Sequence, residues 1–300
     1  GGGGPAAPAR SAEVLAAVPL SADVGIGIGS AVLAAGAATP FIMTIDKAVT
    51  LAAAGQMSLG TAVMRGFADV VKRPHHVIAS PALWMVAGVY GATYTAANLI
   101  DVVAERSAAT PSQHSGAKLV VTTATNMSAS IAKDVAFAKM FGKEVSAEVG
   151  KAAAGAVQAV KRSVPMATYG IFLTRDVFTI AAGFTVPPLV ASALISSANM
   201  EAKRADKTAQ LISPMGMQLI CTPLHLLALN MYNEPEGTLR QRAAGVWRTC
   251  PESTMVRMVR FLFAYGFGGI LNKELTGRGR AWTTEHFCSS LSSSSSLVGS

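Results

Sequence analysis

From Val24 to Ile45 the chain runs for 22 residues without a charge. About 20 apolar residues are what a helix needs to cross the hydrocarbon core of a bilayer. Inside that core the backbone must satisfy its own hydrogen bonds, so a run of this length reads as a helix. A second uncharged run follows from Val77 to Ile100. Only 14% of the 300 residues are charged, against about 25% in soluble domains. With mean hydropathy +0.40, too little charge remains to cover a water-facing surface, and a bilayer is the expected solvent.

Four more segments extend the pattern: Lys118 to Phe141, Pro165 to Thr185, Thr208 to Asn233, and Pro251 to Leu271. A strand barrel would show alternating segments of about ten residues instead. The expected fold is an all-α membrane protein with six transmembrane helices. Pro187-Pro188 is expected to break or end the fourth span. Residues 1–20 read as a flexible N-terminal segment, and the serine-rich residues 281–300 as a disordered tail.

Loops after the odd spans hold most of the basic residues, beginning with Lys47, Arg65, Lys72 and Arg73. That side is the matrix or cytosolic side by the positive-inside rule. The net charge of +8 is not clustered with aromatic residues, so nucleic acid is not an expected partner. Cys221, Cys250 and Cys288 follow no metal or disulfide spacing. No nucleophile–base pair, phosphate loop or paired carboxylate points to an enzyme. Neither catalytic residues, a metal nor a cofactor is expected.

An internal repeat organises the six spans. Thr39-Pro40 ends the first, Ser128 lies in the third and Thr222-Pro223 in the fifth. Tyr90-Gly91, Tyr169-Gly170 and Tyr265-Gly266 recur in the even spans, followed by Asn98, Asp176 and Asn272. The repeats run over about residues 21–105, 106–203 and 204–280. In this span count, repeat length and proline placement the chain resembles the mitochondrial carrier family. The resemblance implies a pseudo-threefold bundle of three two-helix repeats.

That family's motif is Pro-x-acid-x-x-base at the end of each odd helix. Here Ile42 and Ile45 follow Pro40, Ser130 and Lys133 follow Ser128, and His225 and Ala228 follow Pro223. Only Lys133 matches, so the resemblance implies a carrier scaffold whose gate has lost its charges. The gate and kink candidates are Pro40, Asp46, Lys47, Ser128, Lys133, Pro223 and His225. Asp46-Lys47 has two readings. It marks where the first helix leaves the hydrocarbon, since a charge at mid-bilayer costs about 2.5–3.5 kcal/mol on insertion scales. Alternatively it is a relocated gate, with Asp46 on Lys133 and Asp134 on a neighbouring base.

Arg175 and Asp176 stand in the middle of the fourth span, where ionisable groups are by default functional candidates. With Arg257 and Arg260 they are the substrate-binding candidates, for a small anionic solute; an interhelical structural ion pair is the other reading of Arg175 and Asp176. Gly25 and Gly29 form a small-xxx-small face for helix packing. Two functions stay open: transport of a small anionic metabolite, and a non-transporting carrier-fold adaptor or assembly component. The expected partners are the lipid bilayer, the solute and other membrane proteins. The resemblance places the chain in a mitochondrial membrane, the inner ahead of the outer, with a plastid envelope as the further choice.

Overall fold

The computed structural model describes residues 12–142, 164–184 and 186–298, and among them there is helix and no strand. The helices are α1 (Ala12–Ala17), α2 (Leu20–Ala53), α3 (Leu59–Lys72), α4 (Pro74–Ile78), α5 (Pro81–Arg106), α6 (Pro111–Phe141), α7 (Met166–Phe184), α8 (Val186–Ala198), α9 (Ala202–Gly216), α10 (Gln218–Asn233), α11 (Leu239–Phe261) and α12 (Gly269–Val298). A π-helical segment, Leu262–Gly268, joins the last two.

The all-α expectation holds; the six-span expectation does not. Among the described residues three helical stretches are long and apolar enough to cross a membrane: Leu20–Ala53, Ala202–Asn233 and Leu239–Ser289. A fourth is reached if Met166–Ala182 and Val186–Ala198, bent by 41° at the break, form one span. The proline pair sits in the first turn of α8, where a missing N–H costs no helical bond. The second and third expected spans fall on α5 and α6. Asp101, Glu105 and Arg106 close α5, and its apolar run is diluted by Thr93, Tyr94 and Asn98. Lys118, Lys133, Asp134 and Lys139 do the same for α6.

The chain packs as two compact units, each drawn from separated stretches rather than from consecutive repeats. Of its residues, the first takes those up to Pro40, Trp84–Ala129 and those from Leu262 onward. Asp23, with no exposed surface, pairs with Arg106 at 2.5 Å. The same guanidinium donates to the Leu15 and Val18 carbonyls and so closes the α1–α2 turn. Asn98 and Asn272 exchange two hydrogen bonds of 2.9 Å, and Asn98 also donates to the Gly27 carbonyl at 2.8 Å. Two of the three residues expected at equivalent repeat positions are therefore partners of each other. The close helix approach falls at Gly27, where an added Cβ would lie 3.4 Å from the Asn98 Cβ. Gly25 and Gly29, the expected packing pair, face open space.

In the π-helical segment the Tyr94 hydroxyl donates to the Ala264 carbonyl at 2.5 Å. A π turn shifts the backbone ladder by one residue, which frees such a carbonyl for a side chain. Gly268 is required there, because a Cβ would stand 2.5 Å from the Tyr94 oxygen. The serine-rich segment expected as a disordered tail continues α12 as helix to Val298. Serine is a middling helix former, and extending an existing helix avoids the cost of nucleation. In the N-terminal segment, residues 1–11 lie outside the described residues, and α1 occupies Ala12–Ala17.

The second unit takes Phe41–Leu83 and Ser130–Phe261. Here α10 packs against α7 and α11, and α8 against α9. Val135, Ala138, Phe172, Ala228, Leu229 and Tyr232 form one apolar core. Ala48, Val49, Leu59, Ala62 and Leu226 form a second. Burying each large side chain contributes about 1.5–3 kcal/mol. These cores hold five helix segments around a set of charges.

Candidate functional site

α2, α6, α7, α10 and α11 each bring ionisable or polar residues into the interior of the second unit. Lys133 on α6 is 7% exposed and reaches Asp46 on α2 at 2.5 Å and Asp134 on its own helix at 2.7 Å. Arg175 on α7 donates to Asp134 at 2.6 Å, to His225 on α10 at 3.0 Å, and to Asp176. Arginine has only donors, so the His225 Nδ1 accepts and the imidazole proton sits on Nε2. Arg260 on α11 approaches Asp46 at 3.4 Å. Carboxylates and bases thus alternate from Arg260 through Asp46, Lys133 and Asp134 to Arg175 and Asp176.

Aromatic faces line the network. The Lys133 ammonium lies 5.2 Å from the Phe137 ring centroid, and the Arg175 guanidinium 5.5 Å from that of Phe172. Phe172 in turn packs on His225, with ring centroids 5.6 Å apart. Such cation–π contacts offset part of the lost hydration. The Arg175 carbonyl accepts from Thr179 and faces the Cys221 thiol, which ties α7 to α10 beside the charges.

One cation is left over. Lys133, Arg175, Arg257 and Arg260 stand against Asp46, Asp134 and Asp176. Arg257 is 3% exposed, and its Nε donates to Gln218 at 3.2 Å. Among the described residues its guanidinium has no carboxylate partner. It lies within electrostatic reach of Arg260, Arg175, Asp46 and Asp134. At the other end, the Asp176 Oδ2 and Arg175 Nε are buried and make no hydrogen bond among the described residues. Removing one partner of a buried pair costs about 3–5 kcal/mol.

The site thus gathers Arg175, Asp176, Arg257, Arg260, Asp46, Lys133 and His225. Arg175 is in an interhelical ion pair. Asp46 is 5% exposed and paired with Lys133, the pairing of the relocated-gate reading. At the motif positions Ile42, Ile45 and Ala228 are buried, and charges stand beside Ile45 at Asp46 and beside Lys133 at Asp134. Lys47 turns away from the network, 5.3 Å from the centroid of the Phe141 ring. Pro40 and Ser128 belong to the first unit. Half-buried Pro223 lies inside α10, two residues before His225. Asp134 enters the sequence reading only through the relocated-gate alternative, on a neighbouring base, and Arg175 stands there as that base; Gln218 is not among the candidates. For Asp134 the signal was its adjacency to Lys133 in a helix with few charges; Gln218 gave none.

The family model for the probable citrulline exporter family matches residues 30–278. No curated protein and no solved structure matches the chain. The match overturns the resemblance to mitochondrial carriers. Prolines within helices, basic loops and paired spans are general features of helical membrane proteins, and the carrier motif itself was missing. The mitochondrial placement rested on that resemblance and loses its basis, whereas membrane embedding and a transport role agree with the match. The chain belongs to the probable citrulline exporter family.

Proposed function

We propose that the protein moves a small zwitterionic amino acid of citrulline's chemistry across a membrane, with the buried charge network of the second unit as its solute-sensing element. The family's description supports the solute class. The observation that carries the site is Arg257, a buried guanidinium held by Gln218 and short of a carboxylate. An α-carboxylate supplies the missing charge, and the guanidinium fork suits it. The free Asp176 Oδ2 suits an ammonium or ureido N–H. Bound solute competes for the partners that join Asp46, Lys133, Asp134 and Arg175. A ligand with different affinity for the paired and unpaired arrangements shifts the equilibrium between them, which transport requires. No covalent chemistry is assigned to the protein.

The test is efflux of labelled L-citrulline from proteoliposomes, with melting temperature measured on the same preparations. Arg257→Gln lowers efflux while leaving the fold intact, because it removes no one's ion partner. Wild-type efflux equal to that of protein-free liposomes overturns the reading and leaves the non-transporting adaptor in its place.

A further inference from the structure

A cavity of about 260 Å³ lies in the second unit, lined by the C-terminal half of α2 with α3 and α4, and no residue of the charge network is among its lining. Its volume falls just under the range of about 300–1,000 Å³ typical of drug-sized ligands, which suits a metabolite of amino-acid size. Two cations line it, Lys47 and Arg65, together with one carboxylate, Asp69. None of the three has an ion partner among the described residues. Met43 and Val77 supply apolar wall.

Thr44 supplies a second, independent observation. It is 1% exposed, lines the cavity, and its hydroxyl makes no hydrogen bond among the described residues. A helical threonine ordinarily donates to the carbonyl four residues back. Thr39 does so to Ala35, and Thr50 to Asp46, on the same helix. Thr44 lacks that bond, so a buried hydroxyl is left for something else. Gly66 brings α3 against it: a Cβ there would stand 2.5 Å from the Thr44 Cγ2.

We infer that this cavity is a binding site for a free zwitterionic α-amino acid, separate from the charge network. Lys47 and Arg65 take the carboxylate, Asp69 takes the ammonium, and the Thr44 hydroxyl bonds the ligand's polar end. A plain anion would meet the Asp69 charge, and a plain amine the two cations; a zwitterion matches both signs. The preference for citrulline as probe rests on the transport reading, whereas the cavity and its charges do not.

Calorimetric titration of purified protein with L-citrulline, acetate and ethylamine tests it. Wild type binds citrulline more tightly than either half-molecule. Lys47→Gln with Arg65→Gln weakens citrulline by roughly tenfold or more, the scale of a lost charge-assisted bond. Asp69→Asn weakens citrulline and leaves acetate unchanged or tighter. Thr44→Val, close in shape, weakens citrulline by about three- to tenfold without lowering the melting temperature, since no intramolecular bond is lost. Arg257→Gln, which impairs flux, removes the network's own binding component and leaves a second component, the one the Lys47 and Arg65 changes weaken. Binding with no wild-type flux would sink the transport reading and leave the site standing. No citrulline binding, binding indifferent to the Lys47 and Arg65 changes, or loss of all binding in Arg257→Gln overturns the inference. So does wild-type binding that vanishes on adding phosphatidylethanolamine, whose zwitterionic headgroup would then be the ligand.

Discussion

Lys133→Met tests whether the buried charges act as one unit. Lys133 is 7% exposed and bridges Asp46 at 2.5 Å and Asp134 at 2.7 Å. Methionine keeps the length and apolar stem but leaves two buried carboxylates without their shared cation. Removing one partner of a buried ion pair costs about 3–5 kcal/mol. Asp46 still has Arg260 at 3.4 Å and Asp134 still has Arg175 at 2.6 Å, which places the loss at the lower end, about 3 kcal/mol. That is more than a hundredfold in the folding equilibrium, at about 1.4 kcal/mol per factor of ten. The assay is urea denaturation in one detergent, read by thiol labelling of Cys221, which is fully buried. Cys250 and Cys288, both partly exposed, are first replaced by serine. Adding Asp46→Asn to Lys133→Met removes one stranded charge and recovers about 1 kcal/mol or more of coupling, within the usual range for contacting residues. A Lys133→Met protein within about 0.5 kcal/mol of its parent, the scale of a surface change, refutes the buried-network argument.

Three further outcomes follow from the first unit and the site. Asn272→Ala strands the Asn98 amide and lowers stability by about 1–3 kcal/mol, while the double change Asn98→Leu, Asn272→Leu costs less than the single one; equal losses by melting would contradict the reciprocal pair. Gly268→Ala displaces the Tyr94 hydroxyl and destabilises more than Tyr94→Phe, which loses a single bond of about 1 kcal/mol; the reverse order in a melting series would show that the π segment yields freely. Arg175→Lys keeps the charge but loses the fork to Asp134, Asp176 and His225, so citrulline efflux falls although the protein still folds; unchanged flux would remove Arg175 from the site.

Much of this site was visible in the sequence as separate anomalies. Arg175, Asp176, Lys133, Asp46, His225, Arg257 and Arg260 each stand out because ionisable residues are scarce in apolar segments. Their joining was visible only in part: the relocated-gate reading pairs Asp46 with Lys133 and gives Asp134 an unnamed base, while the places of Arg175, Arg257 and Arg260 in the same network have no local signal. Asp46 and Arg260 lie 214 residues apart, and Asp134 and Arg175 lie 41 apart. Nothing in local periodicity fixes which helix faces which. The motif reading also misled: an acid and a base were sought at fixed offsets from each proline, while the network takes its acids one residue away, at Asp46 beside Ile45 and Asp134 beside Lys133.

The sequence by itself determined the class of the molecule. Long uncharged runs and a low charged fraction force helices that satisfy their own backbone, because apolar surface and unpaired N–H and C=O groups obey the same rules in any arrangement. It also marked the residues too costly to bury without a purpose. Tertiary structure alone decided which partners the polar residues within α5 and α6 find, such as Thr93 for Asn126 and Asp46 for Lys133. It decided that Asn98 meets Asn272 rather than echoing it, and that Arg257 is left with a glutamine. Those outcomes depend on packing between distant helices, where a few ångströms separate a satisfied charge from a spare one.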